Sequence, residues 1–252
     1  MRAQLFGTLA ALVPETEQMF DGTASLEEFK ANGEEFLSIY QRICGLLPGE
    51  RMLDVGSGIG RKTIPLTQYL DREASYEGID VNLSGVEWCR EKITARFPNF
   101  RFQWIDVQNQ LYNPLGTRSP AEYQFPFPDA WFSFVTVGSV FTHMMPGDVG
   151  HYLSEITRVL GQGRCLISYF LLNDESRSLI QRGASGLAFR TTSEGYATVS
   201  LETPETAIAL EESVVRSFYA RVGLAISEVH YGSWCGRANA TSYQDLILAI
   251  KS

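Results

Sequence analysis

The sequence predicts an α/β fold: a doubly wound, mostly parallel sheet of seven strands with helices on both faces. Short apolar segments alternate with amphipathic segments from residue 51 to about residue 170, which is typical of parallel strands joined by helices. The last two apolar segments, "LAISEVHYGSW" and "YQDLILAIK", have no helical pattern between them. We therefore expect these two strands to form an antiparallel C-terminal hairpin.

The other elements follow in order along the chain. The predicted strands are "RMLDV", "YEGIDV", "FRFQWIDV", "WFSFVTVGSVF" and "GRCLISYFLL". The predicted helices are "MRAQLFGTLAALVPETEQ", "SLEEFKANGEEFLSIYQRICGLL", residues 60–70, "SGVEWCREKITARF", a segment opened by Pro146, and "TPETAIALEESVVRSFYARVG". Ser25 and Glu28 have the spacing of a capping box, which marks the start of the second helix.

Two boundaries divide the chain. Residues 1–48 are predicted to form a helical cap, and residues 49–252 the main domain. Residues 173–203 are polar and irregular, and a long connection of this kind inside a domain is typical of a lid or a binding loop. The N-terminal helix is a candidate contact for a homodimer.

Composition excludes several functional classes. The net charge of −8 argues against a broad phosphate-binding face, so we expect no nucleic-acid partner. The apolar stretch near the N-terminus is too short to span a membrane and is a weak signal peptide, which predicts a cytoplasmic protein without a membrane partner. The 4 cysteines form no CxxC pair and no histidine stands at ligand spacing, so we expect reduced core thiols and no metal site.

The stretch "LDVGSGIGRKT" carries the strongest functional signal. Gly56, Gly58 and Gly60 alternate directly after the first strand, as in loops whose backbone approaches a nucleotide. Arg61 occupies the position where the dinucleotide motif G-x-G-x-x-G has its third glycine. The P-loop pattern is also absent, because no Gly-Lys-Ser/Thr follows. Asp54 would repel a pyrophosphate but suits a ligand with an amino group.

Two more acids are predicted at the ends of the next strands. Asp80 can accept two hydrogen bonds from a ribose diol, and Asp106 can accept from an adenine amino group. A ligand that combines an amine, a ribose and an adenine, with no phosphate, is S-adenosylmethionine. Each acid alone could be a helix cap, so the prediction rests on the ordered set.

At this point the sequence resembles the class I S-adenosylmethionine-dependent methyltransferases, which implies a Rossmann-like sheet. The resemblance covers roughly residues 30–172, with Gly161-Gln162-Gly163 where the family usually has a Pro-Gly-Gly turn. The matching stretches are "LDVGSGIG", "YEGIDV", "FQWIDV" and "ITRVLGQGRCLI". Within the family, "PNFRFQ", "SVFTHM" and "GSWCGR…YQD" are similar to a subgroup of small bacterial methyltransferases.

The resemblance implies a set of cofactor-binding residues, with S-adenosylhomocysteine as the product left in the same place. These are Asp54 and Gly56 near the methionine end, Gly58 and Gly60 where the backbone approaches, Asp80 with Val81 at the ribose, Asp106 and Val107 beside the adenine, Ser139 near the methionine, and Tyr40 as a cover. Trp104 is a candidate to stack on the adenine, although Trp104 and Tyr40 also suit an apolar core.

His143, in "SVFTHMM", is the candidate catalytic residue. It follows the fourth strand, whose end faces the transferred methyl group in this fold, and an imidazole is suited to take a proton from a hydroxyl acceptor. A histidine that caps the next helix is the structural alternative. His151 and His230 lie among apolar residues of a helix and a strand and are weaker candidates.

The acceptor is predicted to be a small polar molecule. The candidate substrate-binding residues are Phe141, Tyr169, Phe170, Asn173, Trp234 and Arg237, with the last two near the mouth of the pocket. Arg237 would suit a carboxylate or phosphate on the acceptor, and a solvated surface arginine is its structural alternative. The fourth strand is followed by Gly-Ser-Val-Phe instead of Asp/Asn-Pro-Pro-Tyr/Phe, and no Pro-Cys pair is present, which excludes the usual nucleic-acid methylation patterns. O-methylation of a sugar or a phenolic compound is the favoured function; N- or C-methylation, a nicotinamide oxidoreductase and a non-catalytic cofactor-binding regulatory protein remain alternatives.

Overall fold

The computed structural model describes residues 12–19, 25–192 and 195–251. Most of the predicted N-terminal helix, residues 1–11, lies outside the described residues, and residues 12–19 contain only a 3₁₀ turn at Thr16–Gln18. None of the helices in the described ranges is both long and apolar enough to cross a membrane.

The chain divides into two compact units, residues 1–105 and residues 106–252. The first unit contains α1 (Leu26–Arg42), β1 (Arg51–Val55), α2 (Thr63–Leu66), β2 (Ser75–Asp80), α3 (Leu83–Cys89), a π-helical turn (Arg90–Thr94) and β3 (Phe100–Trp104). Its strands are parallel, with Asp54 opposite Gly78 and Gly78 opposite Phe102. The predicted boundary after residue 48 stays a prediction.

The start of α1 confirms the sequence prediction. The Ser25 hydroxyl accepts a hydrogen bond from the amide of Glu28 at 3.1 Å, which satisfies one of the free amides at the helix start. In contrast, the predicted helix over residues 60–70 is regular only at Thr63–Leu66. Pro65 has no amide hydrogen to donate to the preceding turn, so the helix lacks one hydrogen bond at its start, and irregular turns flank it on both sides.

The second unit begins with a long irregular stretch that precedes its first strand. It contains β4 (Phe132–Val137), α4 (Pro146–Val159), β5 (Leu160–Tyr169), β6 (Leu171–Leu172), α5 (Asp174–Gln181), β7 (Arg190–Thr191), β8 (Tyr196–Thr198), β9 (Ile208–Glu211), α6 (Glu212–Val222), β10 (Ala225–His230) and β11 (Asp245–Lys251). A 3₁₀ turn, Phe141–His143, follows β4.

The main sheet has seven strands in the order β10-β11-β5-β4-β1-β2-β3. Strand β11 is antiparallel to both β10 and β5, so the predicted C-terminal hairpin is confirmed. Strands β4 and β5 are parallel, as are β1, β2 and β3. The structure therefore confirms the predicted α/β class with a mostly parallel sheet.

Two predictions for the second unit are wrong. The segment "TPETAIALEESVVRSFYARVG" is not one helix, because Ile208–Glu211 is a strand and only Glu212–Val222 is helical. The insertion at residues 173–203 is not wholly irregular, since it supplies α5, β7 and β8. Strands β6, β9, β8 and β7 form a second sheet, in which β9 pairs with β8 and with the more distant β6.

Candidate functional site

The glycine loop, residues 56–60, connects β1 to α2. All three glycines have positive φ values: +80° at Gly56, +56° at Gly58 and +82° at Gly60. A Cβ atom at Gly60 would lie 2.8 Å from Cδ1 of Ile93, so a larger residue there would displace the end of this buried side chain. A Cβ atom at Gly58 would have no described atom within 4 Å, so the loop presents an open backbone surface there.

Asp80, at the end of β2, holds the middle of this loop. Its Oδ2 accepts a hydrogen bond from the amide of Gly58 at 2.7 Å, and its Oδ1 accepts from the amide of Asn82 at 2.7 Å. Burial raises the pKa of Asp80, and these two amide hydrogen bonds act in the opposite direction. Because a carboxylate oxygen can accept more than one hydrogen bond, both oxygens retain capacity for the two hydroxyls of a ribose.

Asp54 does not present a free carboxylate to a ligand, which corrects our sequence argument. The residue is completely buried, and Nζ of Lys62 donates to its Oδ1 at 3.1 Å. The hydroxyl of Tyr76 donates to its Oδ2 at 2.8 Å. Asp54 therefore balances an internal lysine, and we do not assign it a direct contact with the amine of a ligand.

The surroundings of the loop fit a nucleoside ligand. The hydroxyl of Ser57 is buried and has no hydrogen-bond partner among the described residues. Nε1 of Trp104 donates to the carbonyl of Val81 at 2.9 Å, and this indole ring is partly exposed beside the end of β2. Tyr40, the predicted cover, is instead fully buried and packs 5.9 Å from Phe36, centroid to centroid.

In the second unit, Asp106 already has hydrogen-bond partners. Its carboxylate accepts from the hydroxyl and the amide of Thr117 and from the side-chain amide of Asn113. The hydrogen bond from the Thr117 hydroxyl is the largest cause that lowers the pKa of Asp106. Val107 is buried. The adenine contacts expected of both residues stay predictions.

Ser139 follows β4 in a conformation that non-glycine residues rarely adopt. Its φ is +60°, its amide donates to the hydroxyl of Ser168 at 2.8 Å, and its own hydroxyl donates to Oε1 of Gln244 at 2.9 Å. Such backbone strain costs about 1–3 kcal/mol and is concentrated at functional sites. The binding role of Ser139 near the methionine stays a prediction.

His143 lies at the end of the 3₁₀ turn, and its ring is held by backbone groups of Glu205 and Thr206. Its Nδ1 lies 2.8 Å from the carbonyl oxygen of Glu205. Because a carbonyl can only accept, Nδ1 is the donor in this contact, and the backbone of Thr206 provides a second acceptor for the ring. Burial lowers the pKa of His143, so the imidazole is neutral at pH 7. The other two histidines have different partners: His151 contacts the Tyr123 carbonyl and His230 contacts Glu228.

Glu205 was not among the predicted residues. Its Oε2 accepts hydrogen bonds from the amide of Gln110 at 2.7 Å and from Nδ2 of Asn109 at 3.1 Å. Nδ2 of Asn109 also lies 3.2 Å from the carbonyl of His143. Glu205 thus links the segment that fixes the His143 ring to the segment after β3, a contact over 95 residues that no sequence motif indicates.

Four aromatic candidates for acceptor binding are core residues in this structure. Phe141 and Tyr169 pack with centroids 5.6 Å apart, and Phe170 and Trp234 with centroids 5.2 Å apart; all four are buried. The second pair belongs to the core beneath the small sheet. Trp234 is thus a core residue, and acceptor contacts for all four residues stay predictions.

The two polar candidates have structural partners. Asn173 caps α5 by accepting from the amide of Ser176 at 2.9 Å. The side chain of Arg237 is only 5% exposed; it donates to Asp245 at 3.0 Å and to Glu175 at 2.8 Å. Arg237 is therefore neither a solvated surface residue nor a free cation at a pocket mouth.

No group of three or more histidine, cysteine, aspartate or glutamate side chains in the described ranges could hold a metal ion. All four cysteines are free and buried.

This combination of a mostly parallel sheet, a glycine loop and an acid at the next strand end is typical of nucleoside-binding α/β domains. Residues 53–167 match a family model described as "Methyltransferase domain". Over residues 53–167 the chain is therefore similar to the class I S-adenosylmethionine-dependent methyltransferases, and the comparisons support S-adenosylmethionine as the cofactor. The narrower subgroup suggested by "SVFTHM" stays a prediction.

Known proteins agree with this assignment. A fatty-acid O-methyltransferase of Mycolicibacterium smegmatis is 32% identical over 127 residues, which span 50% of this chain and 37% of that protein. The PH0226 protein from Pyrococcus horikoshii has a TM-score of 0.63 at 14% identity, covering 94% of this chain and 96% of that one. An S-adenosylmethionine-dependent methyltransferase from Aquifex aeolicus has a TM-score of 0.52 at 17% identity, covering 97% of both chains. These two structural likenesses concern the fold.

Proposed function

We propose that this protein transfers a methyl group to an oxygen atom of a small polar organic acceptor. The observation that carries the proposal is the placement of His143 directly after β4, with its Nδ1 2.8 Å from the carbonyl oxygen of Glu205 and its pKa lowered by burial. A hydroxyl acceptor must lose its proton during methyl transfer, and a neutral, oriented imidazole is suited to take it. The similarity to a fatty-acid O-methyltransferase supports an oxygen acceptor.

The cofactor side of this proposal uses the glycine loop and its neighbours. Asp80 would bind the ribose hydroxyls, Gly58 would let the backbone approach, and the exposed edge of Trp104 would offer a surface for the adenine. S-adenosylmethionine supplies a methyl group already activated on a sulfonium. The chain's own task is then to orient the acceptor and remove its proton, and correct orientation alone can contribute roughly 7–11 kcal/mol.

The proposal is tested with S-adenosylmethionine that is radiolabelled in its methyl group. The purified protein is incubated with separate panels of hydroxyl, carboxylate, amine and carbon acceptors, and labelled product and S-adenosylhomocysteine are quantified together. Product from hydroxyl or carboxylate compounds is expected. Turnover confined to amines or carbon acceptors would contradict oxygen transfer, and cofactor binding without turnover on any panel would favour a regulatory, non-catalytic protein.

A further inference from the structure

A buried polar network joins the two ends of the glycine loop. Asp54 lies in β1 just before the glycine loop, and Lys62 lies just after the loop. Nζ of Lys62 donates to Oδ1 of Asp54 at 3.1 Å, and the two side chains are 6% and 0% exposed. This ion pair therefore fixes the distance between the residues that enter and leave the loop, eight positions apart.

Tyr76 extends the network to β2 and to the start of α2. Its hydroxyl donates to Oδ2 of Asp54 at 2.8 Å and lies 2.7 Å from the hydroxyl of Thr63. Because a phenol has one hydrogen, Thr63 is the donor in the second bond. Both carboxylate oxygens of Asp54 are thus occupied from within the protein, by a cation on one side and a hydroxyl on the other.

Lys62 also contacts the loop itself. Its Nζ lies 3.3 Å from the carbonyl oxygen of Gly56, while the amide of Gly56 donates to the carbonyl of Ile79 at 2.8 Å. The first glycine is consequently held through both of its backbone polar groups. A buried ion pair is weak evidence for stability by itself, so its placement on the loop is the informative observation.

We propose that Lys62 is a positioning residue for the cofactor, and that its ammonium group holds the glycine loop in the shape that binds S-adenosylmethionine. A loop fixed before binding loses less conformational freedom when the ligand arrives, which increases affinity without a direct contact. The inference rests on the proposed cofactor role of the glycine loop, and it adds a residue that the ligand need not touch.

The test measures affinity and loop order separately. Affinity for S-adenosylhomocysteine is measured by calorimetry, and hydrogen exchange of the peptide covering residues 55–62 is followed without ligand. Lys62→Met is expected to weaken binding at least tenfold and to accelerate exchange. Tyr76→Phe, which changes no charge, should weaken binding several-fold. Lys92→Met, at an exposed lysine paired with Glu91, is the matched control and should change neither measurement.

A double variant, Asp54→Asn with Lys62→Met, removes both buried charges and guards against a folding failure of the single variant. It should melt close to the wild type yet still bind weakly and exchange quickly. If the folded Lys62 variants bind S-adenosylhomocysteine and exchange amide hydrogens within twofold of the wild type, the inference about Lys62 is overturned, while the proposed function is unaffected. If the wild-type protein does not bind S-adenosylhomocysteine, the proposed cofactor role of the loop fails with it.

Discussion

The amide of Gly58 donates to Oδ2 of Asp80 across 2.7 Å, which joins two residues that are 22 positions apart in the chain. This bond brings the open face of the glycine loop to the end of the neighbouring strand. The same carboxylate then has two tasks: it holds the loop, and its remaining lone pairs are available to a ribose.

Replacement of Asp80 is expected to reduce cofactor affinity, and the size of the loss should depend on how many acceptor oxygens the new side chain keeps. A hydrogen bond to a charged group is worth about 1.5–3 kcal/mol, so Asp80→Ala should weaken S-adenosylhomocysteine binding on the order of 10-fold to 150-fold or more. Asp80→Asn keeps one acceptor oxygen and should lie between this variant and the wild type. Calorimetry on all three proteins checks the order, and equal affinities would remove Asp80 from the cofactor site.

Two alanine substitutions in the glycine loop should separate binding from folding. Gly58→Ala meets no described atom, so we expect a loss of about 1–2 kcal/mol in stability from its positive φ and a larger loss in cofactor affinity. Gly60→Ala places its Cβ against Ile93, which adds about 1–3 kcal/mol of overpacking. Thermal melts should therefore rank Gly60→Ala as the less stable variant, and the reverse order would contradict the packing argument.

The proposed base predicts a defined pH dependence. Burial lowers the pKa of His143 below its ordinary 6.5, so the reactive neutral form predominates at pH 7 and is lost only as the pH falls further. The acid limb of kcat/KM should therefore lie below pH 6.5. His143→Gln should lower kcat by roughly 10²–10⁴-fold, the usual contribution of general acid–base catalysis, and abolish that limb.

His230→Gln is the control for this experiment. The partner that the structure records for the His230 ring is the partly exposed carboxylate of Glu228. We expect its activity and pH profile to match the wild type. An unchanged acid limb in His143→Gln would show that another group titrates.

Arg237 allows a structural role to be distinguished from acceptor binding. Arg237→Met leaves the completely buried Asp245 without its cation, and such a loss typically costs about 3–5 kcal/mol. The free energy of unfolding in urea should fall by this amount. Arg216→Met, at a more exposed arginine paired with Glu212, should cost no more than about 1 kcal/mol. A raised KM with normal stability would instead support the predicted contact with an acidic acceptor.

The fold class and the cofactor could be predicted from the sequence because their signals are local. Alternating apolar segments predicted the strands and helices, and the glycines with Asp80 lie within about one β-α-β unit. Residues 208–211 were predicted to be helical, but they form strand β9. Their strand conformation depends on pairing with β6 and β8, and the local sequence pattern does not show this pairing.

The tertiary structure decided which charged groups were free. From the sequence, Asp54 and Arg237 were candidates for ligand contact, but the structure pairs them with Lys62 and Asp245. A charge buried in a low-dielectric interior requires a partner, and the partner depends on how the chain folds. The sequence alone therefore determined the class of fold and the chemistry of the cofactor, whereas the folded chain determined which side chains remain available for that chemistry.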